Sequence, residues 1–146
     1  MSQSSKAAQQ LAAACAAKML SEDAASQGLG MTVNVDKPGQ AKVTMTIQPD
    51  MVNGHEICHG GFIFTLADSA FAFACNGYNE VTVAASAAID FVRPAILGDQ
   101  LTATAHERHR GKRSGLYDVT VTNQAGKLVA SFRGRSATLG GSLVQN

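Results

Sequence analysis

The amino-acid sequence predicts an α+β domain in which an antiparallel sheet of six strands wraps around one long buried helix. Two observations carry this prediction. Residues 61–76 have helical character with apolar side chains around nearly the whole circumference, which is typical of a buried helix. The strand-like segments that follow have no second helix between them, and this favours antiparallel pairing in an α+β architecture.

The segments before the buried helix predict an N-terminal helix and a β-hairpin. Residues 6–20 are strong helix formers with apolar residues at every fourth position. Polar and apolar residues then alternate over 31–35 and 41–47, as in two strands joined by a short turn. A glycine-rich loop over 49–61 leads into the buried helix.

The chain after the buried helix predicts four more strands, separated by proline and glycine at turn positions. These strands cover 82–92, 100–109, 114–123 and 128–138. Two aromatic residues of these strands, Phe91 and Phe132, are interpreted as core residues.

The length of 146 residues is that of one ordinary domain. We expect an N-terminal helical segment over 1–25, a single domain over 26–141 and a short tail over 142–146. Frayed ends are expected at 1–5 and 141–146.

Composition narrows the class of function. The net charge of +1 argues against a dedicated nucleic-acid-binding protein. Charged residues make up 16% of the chain, against roughly 25% in a typical domain, which indicates that other subunits cover part of the surface. Three cysteines argue against a disulfide framework. With no export signal or membrane-spanning stretch visible, we expect a cytoplasmic protein without membrane partners.

Residues 55–59 (HEICH) match the H-E-x-x-H pattern of zinc hydrolases. That chemistry requires both histidines on one face of a continuous helix. Glycines flank the motif on both sides, and a one-turn helix between them would be poorly supported. A zinc hydrolase that uses His55, Glu56 and His59 is therefore kept as an alternative, and the favoured interpretation has no metal ion.

The candidate catalytic groups lie at the start and in the middle of the buried helix. The free amides of Gly60 and Gly61 at the positive end of the helix suit the stabilisation of an oxyanion. Asp68 is the only charged side chain of this helix, and a charge in an apolar helix is costly unless it is paired or functional. A hydrogen bond to Thr65 or Ser69, or a place at a subunit seam, is the structural alternative.

The spacing of these groups has a consequence for assembly. Asp68 follows Gly60 by eight residues, or about 12 Å along the axis at about 1.5 Å per residue. One carbonyl group cannot contact both groups of the same helix. If both act on it, they come from two helices that lie side by side, and hence from two subunits.

Three stretches of the chain resemble the signature of the hotdog-fold acyl-CoA thioesterases, and most closely their phenylacetic acid degradation (PaaI-type) branch. They are residues 53–71 (NGHEICHGGFIFTLADSAF), 85–94 (ASAAIDFVRP) and 111–118 (GKRSGLYD). The resemblance implies the hotdog fold, a homodimer that pairs again into a tetramer, and no cofactor. It also implies hydrolysis of an acyl-CoA, such as phenylacetyl-CoA or a ring-hydroxylated form, to a free acid and CoA.

The resemblance also implies roles for single residues. By position in the motif, Asp68 is the expected catalytic carboxylate, as general base or nucleophile. The Gly60 amide of the other subunit is expected to polarise the thioester. Asn53 is expected to position the thioester or the attacking water, and His59 to shape the site or to cap the helix. Ser86 lies where some relatives hold a water molecule.

A dense basic cluster over 106–113 is expected to bind the phosphates of CoA, because Arg and Lys beside a glycine turn bind such groups well. A solvated hairpin is the structural alternative. The expected substrate-binding residues are Gly61, Ser86, Arg110, Gly111, Lys112, Arg113 and Ser114.

Two further hypotheses share the implied fold. The first is a non-catalytic protein that binds acyl-CoA, although a pure binder needs no acid at position 68. The second is a dehydratase, although such hotdog enzymes usually pair a histidine with the acid, and His59 lies nine residues from Asp68.

Overall fold

The computed structural model describes residues 2–145, which form three α-helices, one 3-10 turn (Pro49–Met51) and six strands. The helices are α1 (Gln3–Glu22), α2 (Ala24–Gly28) and α3 (Gly60–Cys75). The strands are β1 (Thr32–Asn34), β2 (Gln40–Thr46), β3 (Thr82–Phe91), β4 (Gln100–Arg110), β5 (Ser114–Thr122) and β6 (Leu128–Thr138). None of the helices in the described range combines the length and the apolar character needed to span a membrane.

The six strands form one antiparallel sheet in the order β1-β2-β4-β5-β6-β3. Helix α3 packs against β2, β3, β4, β5 and β6, so the sheet wraps around it. The predicted α+β architecture is confirmed, including the extra N-terminal helix.

Small residues let α3 approach the sheet closely. The ring of Phe71 lies on Gly134 of β6, where a Cβ atom would come within 2.8 Å of it. The same ring contacts Tyr117 and Phe132, with centroids 5.5 and 5.9 Å away. Phe132 is buried, as the sequence predicts. Any side chain at Gly134 would therefore push the helix away from the sheet.

One face of α3 is less buried than its sequence predicts. Gly61 is exposed, and Thr65, Asp68, Ser69 and Ala72 are only half-buried. These positions are three and four residues apart and therefore lie on one side of the helix. The sheet therefore covers α3 only in part, and the face of the helix that carries Asp68 is left open.

The N-terminal segment is more ordered than expected. Ser2 caps α1 by accepting a hydrogen bond from the Ser5 amide, so the helix begins at Gln3 and the expectation of a frayed start is wrong from Ser2 onward. Asp23 then caps the short helix α2, which was not predicted. The expected segment boundary at residue 25 falls inside α2.

The C-terminal tail is also held in place. The amides of Leu143 and Val144 donate to Asn79 Oδ1 at 2.8 and 2.9 Å. Asn79 has a φ of 63°, a left-handed conformation in which Asn is better tolerated than most residues. The expectation of a frayed end over 141–146 is therefore wrong for 141–145, and its last residue and Met1 lie outside the described residues.

Candidate active site

Helix α3 begins with two free amides. Gly60 is its first helical residue, and His59 precedes it with extended backbone angles and no hydrogen bond from its side chain to the helix. Within residues 2–145, no acceptor bonds the amide of Gly60 or Gly61. The positive end of a 16-residue helix is therefore available to a ligand. The helix-cap alternative for the His59 side chain is wrong, since its ring is exposed and makes no cap.

Asn53 organises the loop that leads to this helix. Its Oδ1 accepts hydrogen bonds from the amides of His55 at 2.9 Å and Ile57 at 3.1 Å. The His59 amide in turn donates to the Met51 carbonyl at 2.9 Å. The Oδ1 bonds fix the orientation of the amide group, and the exposed Nδ2 of Asn53 remains able to donate to a ligand.

The HEICH motif does not lie on a helix. Residues 52–59 form turns and isolated bridges, with Ile57 paired to Ile96 and Cys58 to Val52. Glu56 has a φ of 61°, which is incompatible with a continuous helix. No cluster of three metal-ligating side chains occurs between residues 2 and 145. The zinc alternative therefore lacks the helix that its chemistry requires.

Asp68 is half-buried, and its carboxylate makes no hydrogen bond or ion pair within the described chain. The neighbours proposed as partners are engaged elsewhere. Thr65 donates to the Gly61 carbonyl at 2.8 Å, and the Ser69 hydroxyl lies 3.3 Å from that of Ser26. Burial raises the pKa of Asp68 because the charged form loses hydration without gaining a donor.

Cys75 lies two turns beyond Asp68 on the same side of the helix. Burial raises the pKa of its thiol to about 12, and the negative charge of Asp68 adds to the rise. Cys15, Cys58 and Cys75 are all free and buried. Burial raises the pKa of all three thiols, so they are neutral at physiological pH and do not act as nucleophiles.

An apolar cleft, which the sequence does not predict, opens beside the start of α3. Its volume is about 420 Å³, and Gly60 forms part of its wall. Its side chains come from the loop before α3, from α3 itself and from the end of β3: Ile57, Cys58, Ile63, Phe91, Val92, Arg93, Pro94 and Ala95. The assignment of Phe91 to the core is wrong, since 54% of this residue is exposed at the mouth of the cleft.

The basic turn between β4 and β5 lies at the opposite end of α3. Arg110 pairs with Glu80 at 3.1 Å and covers the ring of Tyr78 at 3.7 Å, and both residues follow the C-terminus of the helix. The turn is closed by a 2.8 Å hydrogen bond from the Gly111 amide to Ser114. A 16-residue helix is roughly 24 Å long, so this turn and Gly60 are far apart within one protomer.

Two cations of this turn, Lys112 and Arg113, are exposed and form no ion pair with any described carboxylate. They differ in this from Arg110, which is already engaged. A phosphate group would therefore meet Lys112 and Arg113 without having to displace an existing partner.

Ser86 is not brought next to the other candidate residues. It pairs with Arg135 across β3 and β6, after a bulge between Ala84 and Ser86. Residues directly opposite on neighbouring strands share a face, and Arg135 is exposed. Ser86 thus lies on the side of the sheet that faces away from α3.

Strand β3 is an edge of the sheet with an open side. Eight of its ten residues are exposed, and Asp90 is the only charged one. A long, weakly charged edge strand is a template for pairing with another chain. The exposed β3 and the open face of α3 are therefore two surfaces that the other described elements of the chain leave uncovered.

Comparisons with known proteins identify the family and the fold of the chain. Residues 55–130 match the family model of the Thioesterase superfamily. The chain belongs to this superfamily and has its hotdog fold, as the three stretches of the sequence imply.

Individual proteins are similar to this chain over most of its length. The chain is 49% identical over 125 residues to the acyl-coenzyme A thioesterase PaaI of Escherichia coli (strain K12), covering 86% of this chain and 89% of that protein. The structure of the E. coli PaaI protein from the phenylacetic acid degradation operon superimposes with a TM-score of 0.91 at 47% identity, over 92% and 98% of the two chains. A Streptococcus mutans UA159 protein bound to acetyl CoA matches with a TM-score of 0.73 at 27% identity, over 77% and 90%.

Proposed function

We propose that this protein hydrolyses an acyl-CoA to a free acid and CoA, with Asp68 as the catalytic carboxylate. The observation that carries the proposal is a half-buried carboxylate that has no hydrogen-bonding partner among residues 2–145 and lies on the face of α3 that the sheet leaves open. A partly buried charge without a partner lowers the stability of the fold, and such groups are commonly found at functional sites. The 49% identical relative is named an acyl-coenzyme A thioesterase, which supports this reaction class.

The site is composite and forms between two subunits. The amide of Gly60 lies about 12 Å along the helix from Asp68 of the same chain, too far to share one carbonyl group. A two-fold axis beside the open face of α3 sets two such helices antiparallel, so that each Asp68 faces the other helix. The exposed strand β3 supplies the edge through which the two sheets join. A dimer of dimers, as the resemblance implies, repeats this site.

The reaction needs no group beyond those of the two chains. The Asp68 carboxylate accepts a proton from water, whose oxygen forms a bond to the thioester carbon. The carbonyl electron pair moves to oxygen, and the partner subunit's Gly60 amide donates to this oxyanion. Its collapse breaks the C–S bond, and the sulfur takes the proton from Asp68 as CoA leaves.

Direct attack by the Asp68 oxygen is the other route. It forms a mixed anhydride with loss of the CoA thiolate, and water then hydrolyses the anhydride. Both routes need the ionised carboxylate. Burial raises the pKa of Asp68, and a higher pKa makes the ionised carboxylate a stronger base.

The remaining candidate residues bind and orient the substrate. Asn53 Nδ2, in the loop that leads to α3, and the exposed ring of His59, the residue before α3, orient the thioester or the water. The basic turn binds the CoA phosphates through Lys112 and Arg113, while Arg110 braces the turn against Tyr78. The acyl group is an arylacetyl group such as phenylacetyl, in keeping with the operon of the E. coli relative. No cofactor takes part.

The Asp68→Asn variant tests the proposal on a panel of phenylacetyl-, hydroxyphenylacetyl- and straight-chain acyl-CoAs. Release of the CoA thiol should fall about 10²- to 10⁴-fold, the usual effect of losing a catalytic acid or base. Asp36→Asn, the same change at an exposed carboxylate, is the matched control and should keep full activity. Turnover retained by Asp68→Asn would refute the catalytic assignment, and wild-type binding without hydrolysis would establish the non-catalytic alternative.

A further inference from the structure

Phe91 occupies an unusual position for a large aromatic side chain. It ends β3 with its ring tip against Gly60, so close that a Cβ on this glycine would lie 2.8 Å from the Phe91 Cζ atom. Even so, 54% of Phe91 is exposed. One part of the ring therefore rests on the start of α3, and the rest faces the apolar cleft.

The cleft beside this ring has fixed walls. The Cys58 amide donates to Ala95 at 2.8 Å, and the Leu97 amide donates to Glu56 at 3.0 Å. The amides of Val92 and Arg93 both donate to the Val129 carbonyl. The segments on either side of the cleft are thus tied to each other and to β6, so its shape is set before any ligand binds.

The chemistry of the cleft suits an uncharged group. Arg93 is its only charged lining residue, and its other side chains are apolar or a thiol. Burial raises the pKa of that thiol, Cys58, to about 11, which leaves it neutral at physiological pH. The mostly apolar lining suits the acyl group better than the charged phosphates of CoA. A volume of about 420 Å³ exceeds the roughly 150 Å³ that is enough to bind benzene in an apolar cavity.

The tip of the Phe91 ring lies next to Gly60, which is the residue whose amide would hold the thioester carbonyl. An arylacetyl ring, one methylene group from that carbonyl, would therefore come within reach of the Phe91 ring. Aromatic pairs prefer edge-to-face or offset contacts with centroids about 4.5–7 Å apart. A straight alkyl chain fills the same space without this directional contact.

We propose that Phe91 is a specificity-determining residue, which selects acyl groups that carry an aromatic ring one carbon from the thioester. The proposal rests on the proposed thioesterase function and adds the group that chooses the substrate. It also assigns the acyl cleft to the subunit that supplies Gly60, and not to the one that supplies Asp68.

The test compares Phe91→Leu with Phe91→Tyr. The ratio of kcat/KM for phenylacetyl-CoA to that for hexanoyl-CoA should fall about three- to tenfold in Phe91→Leu, the range expected for one aromatic pair. It should stay within about twofold of wild type in Phe91→Tyr, which keeps the ring. Leu139→Ala removes an exposed apolar side chain elsewhere and should leave the ratio unchanged.

The outcomes separate this proposal from the proposed function. An unchanged ratio in Phe91→Leu, with both substrates still hydrolysed, would overturn the role of Phe91 alone. If wild type hydrolyses neither substrate, the proposed function fails, and calorimetric titration with the same two acyl-CoAs decides the role of Phe91. A selective loss of phenylacetyl-CoA affinity in Phe91→Leu would then support it, and equal affinities would overturn it.

Discussion

The two ends of α3 differ in how their polar groups are used. At the C-terminal end, the Asn76 side chain donates to the carbonyls of Ala72 and Thr82 and accepts from the Thr82 amide. Close by, Glu107 accepts hydrogen bonds from two tyrosine hydroxyls. At the N-terminal end, two glycine amides have no acceptor in the described chain, and an apolar cleft lies open beside them.

The C-terminal end of α3 therefore contributes to the stability of the fold, whereas its N-terminal end is available for function. Buried polar groups that are satisfied hold a fold together, whereas groups left unpaired are available to a ligand at a cost in stability. Changes at the C-terminal end of α3 should therefore alter unfolding, and changes at its N-terminal end should alter turnover.

Among changes at the two ends of α3, the largest effect is expected from removing the Gly60 amide. Gly60→Pro loses the N–H group but suits the first helical position, and His59 already has the extended backbone that must precede proline. Gly60→Ala adds the same Cβ contact with Phe91 and keeps the N–H group. We expect kcat for acyl-CoA hydrolysis to be about 10²- to 10³-fold lower in the Pro variant than in the Ala variant. Equal values would remove the amide from the mechanism.

A smaller effect, on stability alone, is expected at the other end. Tyr117 is buried, and its hydroxyl donates to Glu107 Oε1 at 3.0 Å. Tyr117→Phe should lower the free energy of unfolding by about 1.5–3 kcal/mol, since it removes a hydrogen bond to a charged group. Urea denaturation at one fixed protein concentration measures this loss, and kcat should not change. A drop in kcat with unaltered stability would contradict the division between the two ends.

The smallest effect concerns Asp68 and pH. Burial raises the pKa of Asp68, so the folded state binds its proton more tightly than the unfolded state does, and stability falls as pH rises from 3.8 through the raised pKa. Asp68→Asn should therefore unfold at a higher temperature than wild type at pH 7, and at a similar temperature below pH 3 or so.

Asp118 provides the opposite case for the same measurement. Its hydrogen bonds with Arg133 lower the pKa of Asp118, so its contribution to stability is present at neutral pH and is lost on acidification. Asp118→Asn should lower the unfolding temperature at pH 7. A change of the same sign in both variants would show that the neighbours of the two carboxylates do not determine their effects.

The sequence predicts most of the fold because hydrophobic periodicity is a local signal. Local patterns of this sort predict the order of the elements. They also predict that α3 starts at a glycine pair and carries Asp68. The helix α2 was missed although Asp23, its capping residue, stands at the expected place before it.

Three features depend on contacts between distant parts of the chain. Asn79 orders the tail through residues more than sixty positions away, which no local pattern reveals. The bulge before Ser86 changes the strand register, and this register places Ser86 opposite the outward-facing Arg135. Phe91 alternates as a core residue does, but the sheet edge and the strand end leave it exposed.

The composite site is tested most directly by mixing two inactive variants. Asp68→Asn and Gly60→Pro are combined in equal amounts, subunits are allowed to exchange, and hydrolysis of phenylacetyl-CoA is measured. If each site takes Asp68 from one subunit and Gly60 from the other, random exchange makes about one quarter of the sites intact, and about one quarter of wild-type activity returns. Activity that stays at the level of the separate variants, despite proven exchange, would contradict a site built between two subunits.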